Sequence, residues 1–332
     1  MILKLLHIGK PGNMERFTPK NSFTDSVTKI DLPAGCKTEE YLAQAGDADF
    51  LIIDPITWLN DDLISRMPNL KLIHSEGVAF NKIDLDSASR NGIYVCNCAG
   101  ANASAVAEQT LLLMLGVLRD VVNNETAVRT GMQLSTKENY MVHGSLKELP
   151  DCKVGLVGFG AIGKATAALL KPFGAEVYYY KRNPLSSEEE AAFSVKYLPL
   201  DELLHTCHII SLHLPVTPET TNMCNDAFFE KMQDGSYLIN TSRGELVDNE
   251  ALIRALHSGK LAMAGLDTLD NEPVQKDHIL LNQPEDICKK MLLSPHIGGI
   301  TGSSFRRSYE IIWKNAEKIA NGEKPEHMVN AM

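Results

Sequence analysis

The sequence predicts an α/β protein made of two doubly wound, parallel-sheet domains. Short apolar runs bounded by turn residues alternate with helical patterns, as parallel βα units do. That alternation occurs twice, before and after a densely apolar helical stretch beginning near Ser104. At 332 residues the chain is long enough for each domain to bury its own core.

In the first series, strands are expected at residues 3–8, 50–53, 70–74 and 94–97, with helices at 38–45 and 59–67. The stretch 104–129 reads as one long helix, too apolar all round for a single buried face and so packed on several sides. Residues 137–150 read as a loop, serving as a hinge or a packing arm. In the second series the strands are 154–157, 176–180, 208–212, 237–240, 261–266 and 291–293. Helices fit 162–173, 201–205, 225–232 and 249–258. Phe305, Tyr309, Ile312, Ala316 and Ile319 recur at helical spacing before the stop signal Asn321-Gly322.

Composition narrows the function. A formal charge of -10 leaves no excess of cations to neutralise phosphates, which argues against a nucleic-acid partner. The apolar opening 1–9 is too short for a signal peptide and reads as a first strand, and no stretch is apolar for long enough to span a bilayer. Seven scattered cysteines, an odd number, fit a reducing compartment and a cytoplasmic location. Cys96-Asn97-Cys98 has the spacing of neither a redox CxxC nor a zinc ribbon, so buried thiols and no metal are expected.

The chemistry-bearing signal is Lys153-Val154-Gly155-Leu156-Val157 running into Gly158-Phe159-Gly160-Ala161-Ile162-Gly163. A lone GxGxxG is weak, but here a strand precedes it, a small-residue helix follows, and a second strand lies at 176–180. Gly158 permits the tight turn, Gly160 lets backbone approach a pyrophosphate, and Gly163 lets helix and strand pack closely. Amides of Gly160, Ala161 and Ile162 then face the phosphates at a helix N-terminus. The second strand ends Tyr180-Lys181-Arg182-Asn183 without the acid that binds the ribose of NAD(H). Two cations stand where a 2′-phosphate lies, so NADP(H) is the expected cofactor, with NAD(H) the alternative.

From about Leu70 onward the chain resembles the D-isomer-specific 2-hydroxyacid dehydrogenases, and among them the glyoxylate and hydroxypyruvate reductases. The motifs carrying the likeness, in order, are Gly100-Ala101-Asn102-Ala103, Val106-Ala107-Glu108, the glycine fingerprint and Leu214-Pro215-Val216-Thr217-Pro218-Glu219-Thr220. Ile239 to Asp248, Asp267 to Pro273 and Ser294-Pro295-His296-Ile297-Gly298-Gly299 complete the set. The resemblance implies three catalytic residues. Arg243 lies past a strand end, where open α/β sheets bind ligands, and its planar guanidinium suits a carboxylate beside a carbonyl. His296 is the proton donor and acceptor, and Glu272 orients its imidazole. For the cofactor the likeness adds Val106 and Thr241 near the nicotinamide and Asp267 on the carboxamide. It puts Thr220 near the pyrophosphate and His213, Leu214 and Pro215 along the adenosine, with Ser242, His296 and Gly298 counted among the contacts.

The likeness also implies that amides of a loop after the third strand hold the substrate carboxylate, here Gly77, Val78 and Ala79 with Arg243 and His296. This loop departs from the family pattern, because Ala79 stands where relatives have glycine. If Ala79 needs a positive φ, the loop is strained or differently shaped. Ser75 replaces an arginine typical of phosphoglycerate dehydrogenases, and Glu76 is expected to repel a second anion, which disfavours phosphoglycerate. The implied architecture is two Rossmann-like domains with the active site in the cleft between them. Residues 1–102 plus 297–332 form the substrate domain and 103–296 the dinucleotide-binding domain, in a homodimer. The expected reaction is hydride transfer between NADP(H) and a small 2-oxo or D-2-hydroxy acid. A dinucleotide-sensing corepressor, or phosphoglycerate, formate or phosphite dehydrogenation on the same scaffold, are the alternatives.

Overall fold

The computed structural model describes residues 2–331. The chain divides into two compact units, one comprising residues up to 102 together with those from 300 onward, the other residues 103–299. The second boundary follows Gly299 rather than His296. The amides of Ile297 and Gly298 donate to the Asp267 carboxylate, which ties this segment to the second unit.

The first unit holds strands β1 (Lys4–Gly9), β2 (Thr28–Pro33), β3 (Phe50–Ile53), β4 (Leu72–Ser75) and β5 (Tyr94–Cys96). All pair in parallel, in the order β2-β1-β3-β4-β5. The chain leaves β1 to one side for β2 and returns on the other side as β3. That makes the carboxyl ends of β1 and β3 the switch point where ligands bind in such sheets. β3 and β4 are wholly buried, and β3 reads as a short unbroken apolar run for that reason, while β4 ends in the buried polar pair His74 and Ser75. The helix Gly302–Ala320 buries Tyr309, Ile312, Trp313 and Ala316 against Leu5, Phe50, Ile52 and Leu72.

The second unit holds β6 (Lys153–Val157), β7 (Glu176–Tyr180), β8 (Val195–Tyr197), β9 (Ile209–Leu212), β10 (Ser236–Asn240), β11 (Leu261–Leu266) and β12 (Met291–Leu293). Their order, β12-β11-β10-β9-β6-β7-β8, puts the switch point between β6 and β9, directly above the glycine turn.

Two expectations about helices change. The stretch read as one helix from 104 to 129 is the helix Ala103–Leu118 followed by Val121–Arg129. Asp120 breaks it in the left-handed conformation (φ 50), where its carboxylate accepts from Asn123 Nδ2 and Tyr140 Oη. Part of the expected loop 137–150 is also helical, because Gln133–His143 runs up to a left-handed cap at Gly144.

Candidate active site

The glycine turn has three glycines with three different surroundings. A Cβ on Gly158 (φ 100) would lie 2.2 Å from the His213 carbonyl oxygen, and one on Gly163 would lie 2.6 Å from the Gly158 oxygen. A Cβ on Gly160 would meet nothing within 4 Å. The first two glycines are therefore needed by the protein itself, while Gly160 faces open space that a ligand can enter. Gly160 caps the helix Ala161–Leu170, and the amides of Gly160, Ala161 and Ile162 have no acceptor among the described residues. Four amides at a helix start lack internal partners and carry partial positive charge, so the turn suits a pyrophosphate.

Gly158 N donates to Tyr180 O at 2.9 Å, which brings the end of β7 beside this turn. Lys181 and the exposed Arg182 follow immediately. Arg182 has no hydrogen-bonded or ion-paired partner among the described residues. Its charge helps the Thr217 hydroxyl hold the Glu219 carboxyl below the usual carboxylate range. Across the switch point, burial pushes the His213 imidazole down to about 4, and Ser211 Oγ lies 3.0 Å from its Nε2. His213 is thus neutral near physiological pH, and its backbone carbonyl, rather than its ring, shapes the turn.

The catalytic candidates lie beyond β10, β11 and β12. Asn240, the last residue of β10, clamps the next loop: its Nδ2 donates to Arg243 O (2.8 Å) and its Oδ1 accepts from Ser242 N (3.0 Å). Ser242 Oγ donates to Leu212 O, and Thr241 Oγ1 pairs with Thr110 Oγ1. Arg243 is left with one partner, the Ser242 carbonyl at 2.6 Å, and no carboxylate among the described residues. The next residue, Gly244, is pressed on the backbone of Leu269 and Asp270, where a Cβ would sit 1.9 Å from the Leu269 carbonyl carbon. The Arg243 loop thus lies directly on the loop carrying Glu272.

Glu272 is held at both oxygens. Oε1 accepts from Leu269 N (3.2 Å), and Oε2 lies 2.5 Å from His296 Nδ1. This fixes the ring and leaves Nε2 without a hydrogen-bond partner among the described residues. Below them Asp270 accepts from Asn249 and Asn271 and pairs with His278 at 2.7 Å. Although burial pushes its carboxyl up, Asn249 and His278 hold it below the usual range.

Asp267 is buried and takes three donors: Ser294 Oγ (2.5 Å), Ile297 N (3.0 Å) and Gly298 N (2.8 Å). Its own carbonyl accepts from His296 N at 2.7 Å. The sequence points to Asp267 as a carboxamide contact alone; in the structure it builds the turn that carries His296. Gln109 extends this set, donating to Ser294 Oγ at 2.9 Å. The sequence names Ser294 only as part of the motif leading to His296 and does not point to Gln109, which lies 185 residues away. The Thr220 hydroxyl works within its own loop, accepting from Thr217 N and donating to Pro215 O. Val106 is buried on the helix Ala103–Leu118.

In the first unit, the loop after β4 turns its carbonyls inward. Gly77 O accepts from Cys98 N, Val78 O from Asn97 Nδ2, and Ala79 O from Ser75 Oγ. The amides of Val78 and Ala79 have no acceptor among the described residues. Ala79 is not among the positive-φ residues, so the alanine fits without strain. Glu76 is buried and accepts from Asn13 Nδ2 and Tyr309 Oη.

The family model described as the D-isomer specific 2-hydroxyacid dehydrogenase NAD-binding domain matches residues 111–298, more than half of the chain. The chain belongs to that family. The glyoxylate reductase of Thermofilum pendens is 35% identical over 292 residues, spanning 88% of this chain and 84% of the relative. Among solved structures, the apo D-mandelate dehydrogenase of Rhodotorula graminis is similar with a TM-score of 0.84 at 28% identity, covering 100% of this chain and 99% of that one. The NAD-complexed D-isomer specific 2-hydroxyacid dehydrogenase of Lactobacillus delbrueckii ssp. bulgaricus gives 0.81 at 26%, covering 98% and 100%. The chain is accordingly an oxidoreductase of the D-2-hydroxyacid dehydrogenase family that uses a nicotinamide dinucleotide. Its open Gly160 cradle and unpartnered helix-start amides fit that group. Among the described residues, no helix is long and apolar enough to cross a membrane.

Proposed function

We propose that this dehydrogenase reduces a small 2-oxo acid to the D-2-hydroxy acid with NADPH, through Arg243, Glu272 and His296. The observation that carries this reading is an arginine with no carboxylate of its own, on a loop packed against the one bearing a Glu272–His296 pair 2.5 Å apart. When bound, the nicotinamide supplies or accepts the hydride. His296 Nε2 gives the proton to the carbonyl oxygen, and Glu272 holds the ring and stabilises the imidazolium that donates it. Arg243 takes the carboxylate and orients the carbonyl, and the free amides of Val78 and Ala79 are assigned to the carboxylate as well. Gly158, Gly160, Ala161, Ile162 and Gly163 are assigned to the pyrophosphate. Val106, Thr241, Ser242, Asp267 and Gly298 are assigned to the nicotinamide end, and His213, Leu214, Pro215 and Thr220 to the adenosine and phosphate side.

The preference for NADPH rests on Lys181 and Arg182, with no acid between them and the strand end. Replacing Arg182 with Ala is expected to raise the KM for NADPH at least tenfold, the loss of one charge-assisted contact of about 1.5–3 kcal/mol, and to leave NADH nearly unchanged. Equal effects on both cofactors would remove the preference. Substrate class is tested by following oxidation of both cofactors with glyoxylate, hydroxypyruvate, pyruvate, 2-oxoisocaproate and phenylpyruvate. Cofactor binding with no turnover of any of them would favour a dinucleotide-sensing role instead. The reading includes a cytoplasmic homodimer, supported by seven free cysteines and by the exposed apolar helices near residues 121–143.

A further inference from the structure

Beneath the 77–79 loop lies a buried ionisable cluster that the reaction chemistry does not use. His7, on β1, is fully buried. Its Nδ1 lies 2.7 Å from Asp31 Oδ1 on β2 and its Nε2 lies 3.9 Å from Glu76 Oε1, just after β4. Glu76 Oε1 also accepts from Tyr309 Oη (2.8 Å) and Asn13 Nδ2 (2.9 Å), and Asp31 Oδ2 accepts from Gly12 N. The charged and titratable groups around the imidazole are Asp31, Glu76, Tyr309, the buried Cys98 thiol, and Asp54 next to Gly9. Asp54 is capped by Ile56 N, Thr57 N and the Thr57 hydroxyl. The ion pairs described for Asp31 and Glu76 are both with His7.

This geometry distinguishes the two imidazole nitrogens. Nδ1 is held as a donor to Asp31, so the proton that leaves on titration is the one on Nε2. At 3.9 Å, Nε2 has no hydrogen-bond partner and is joined to Glu76 by charge alone. Removing the proton turns that attraction into a lone pair facing a buried carboxylate, which is costly away from water. Glu76 is the residue immediately before Gly77, and its own amide is fixed to Ile53 O. What moves its carboxylate therefore acts on the loop.

We propose that His7 and Glu76 are positioning residues for the 77–79 loop: His7, protonated, anchors Glu76, and loss of the Nε2 proton loosens the loop and weakens binding of the 2-oxo acid. The binding half rests on the function proposed above; the loop half does not. Burial works to lower the His7 pKa, but Glu76 and Asp31 outweigh it and hold it above the ordinary value. Burial likewise pushes Glu76 up, while His7, Tyr309 and Asn13 hold it below the ordinary range. Because the His7 value is raised, the anchor is complete below about pH 6.5 and is lost as pH rises through the higher folded value.

Two measurements on the full chain test this. Hydrogen exchange of the Cys98 amide, which donates to Gly77 O, and of the Gly77 amide, which donates to Ser75 Oγ, is corrected for intrinsic rate and compared below about pH 6 and above about pH 9. In the wild type, protection falls about tenfold with rising pH, whereas in His7→Gln it does not change. KM for the best 2-oxo acid is then measured in both proteins over the same range. Their ratio cancels the contribution of His296, and it is expected to change about tenfold while kcat and NADPH affinity stay within about twofold. A pH-independent ratio, or identical loop exchange in the two proteins, would overturn the proposal. Should His7→Gln not fold, Glu76→Gln replaces it, with NMR titration of His7: the imidazole must titrate above the ordinary histidine value in the wild type and fall towards it in the variant. If no 2-oxo acid is turned over, the proposed function fails and exchange alone decides this inference.

Discussion

His296 has φ 54, in the left-handed region that non-glycine residues rarely adopt. Such a residue costs on the order of 1 kcal/mol and persists only where its surroundings over-determine it. Here Asp267 does so, binding the His296 amide through its carbonyl and the next two amides through its carboxylate. Replacing Asp267 with Asn leaves one acceptor oxygen for three donors and turns an NH2 towards an amide. We expect a loss of about 2 kcal/mol in stability, from one buried donor left unsatisfied, together with a fall in kcat. Denaturant melts and steady-state kinetics read both; unchanged stability would show that the turn holds without the carboxylate. His296→Ala is the opposite case. It removes the proton donor but keeps the turn, so kcat is expected to fall by about 10²–10⁴-fold while cofactor binding is retained. Near-normal turnover would refute the assigned role.

At the scale of elements, the glycine turn separates what the fold needs from what a ligand needs. Gly158→Ala drives a methyl group into the His213 carbonyl, 2.2 Å away, at a positive φ. It is expected to cost about 1–3 kcal/mol of stability, the range for overpacking. Gly160→Ala meets nothing in the protein. Its melting temperature is expected to stay within a degree or two of wild type, while cofactor affinity falls because the methyl occupies the pyrophosphate's approach. A drop in stability with intact cofactor affinity would reverse that assignment. The sequence revealed such features where the information is local. Unbroken buried runs such as Phe50–Ile53 read directly as strands, and the fingerprint read as a strand–turn–helix. The edge strand Thr28–Pro33 was missed because its half-exposed residues include charges and it ends in proline. Residues 137–143 read as a loop because the helix Gln133–His143 buries no residue and so lacks an apolar stripe. In the site, Arg243, Glu272 and His296 were visible through motifs. The supports that aim them, Asn240, Gln109, Ser294 and the second role of Asp267, depend on contacts between distant segments or on turn geometry that no local pattern encodes.

At the scale of the whole molecule, the helices Val121–Arg129 and Gln133–His143 do not look like the finished surface of a monomer. Neither buries a residue, and at nine and eleven residues they are too short to be stable on their own. Val128, Met132, Leu134, Met141 and Val142 are each more than half exposed, the last two about three-quarters. Several large apolar side chains on adjacent short helices form a patch that water alone does not stabilise. The net charge of -10 keeps the rest of the surface soluble and discourages indiscriminate association, so a specific self-complementary contact fits better than aggregation. If a second copy covers this patch, the Met141→Glu and Val142→Glu double variant removes two buried apolar side chains per subunit and adds charge. Each side chain contributes about 1.5–3 kcal/mol, so dimer dissociation should rise by at least a hundredfold. Sedimentation velocity at micromolar concentration should show a wild-type dimer and a variant monomer, with less helical circular dichroism in the variant as residues 121–143 fray. A monomeric wild type would mean that these helices persist without a partner, leaving the exposed patch to some other contact.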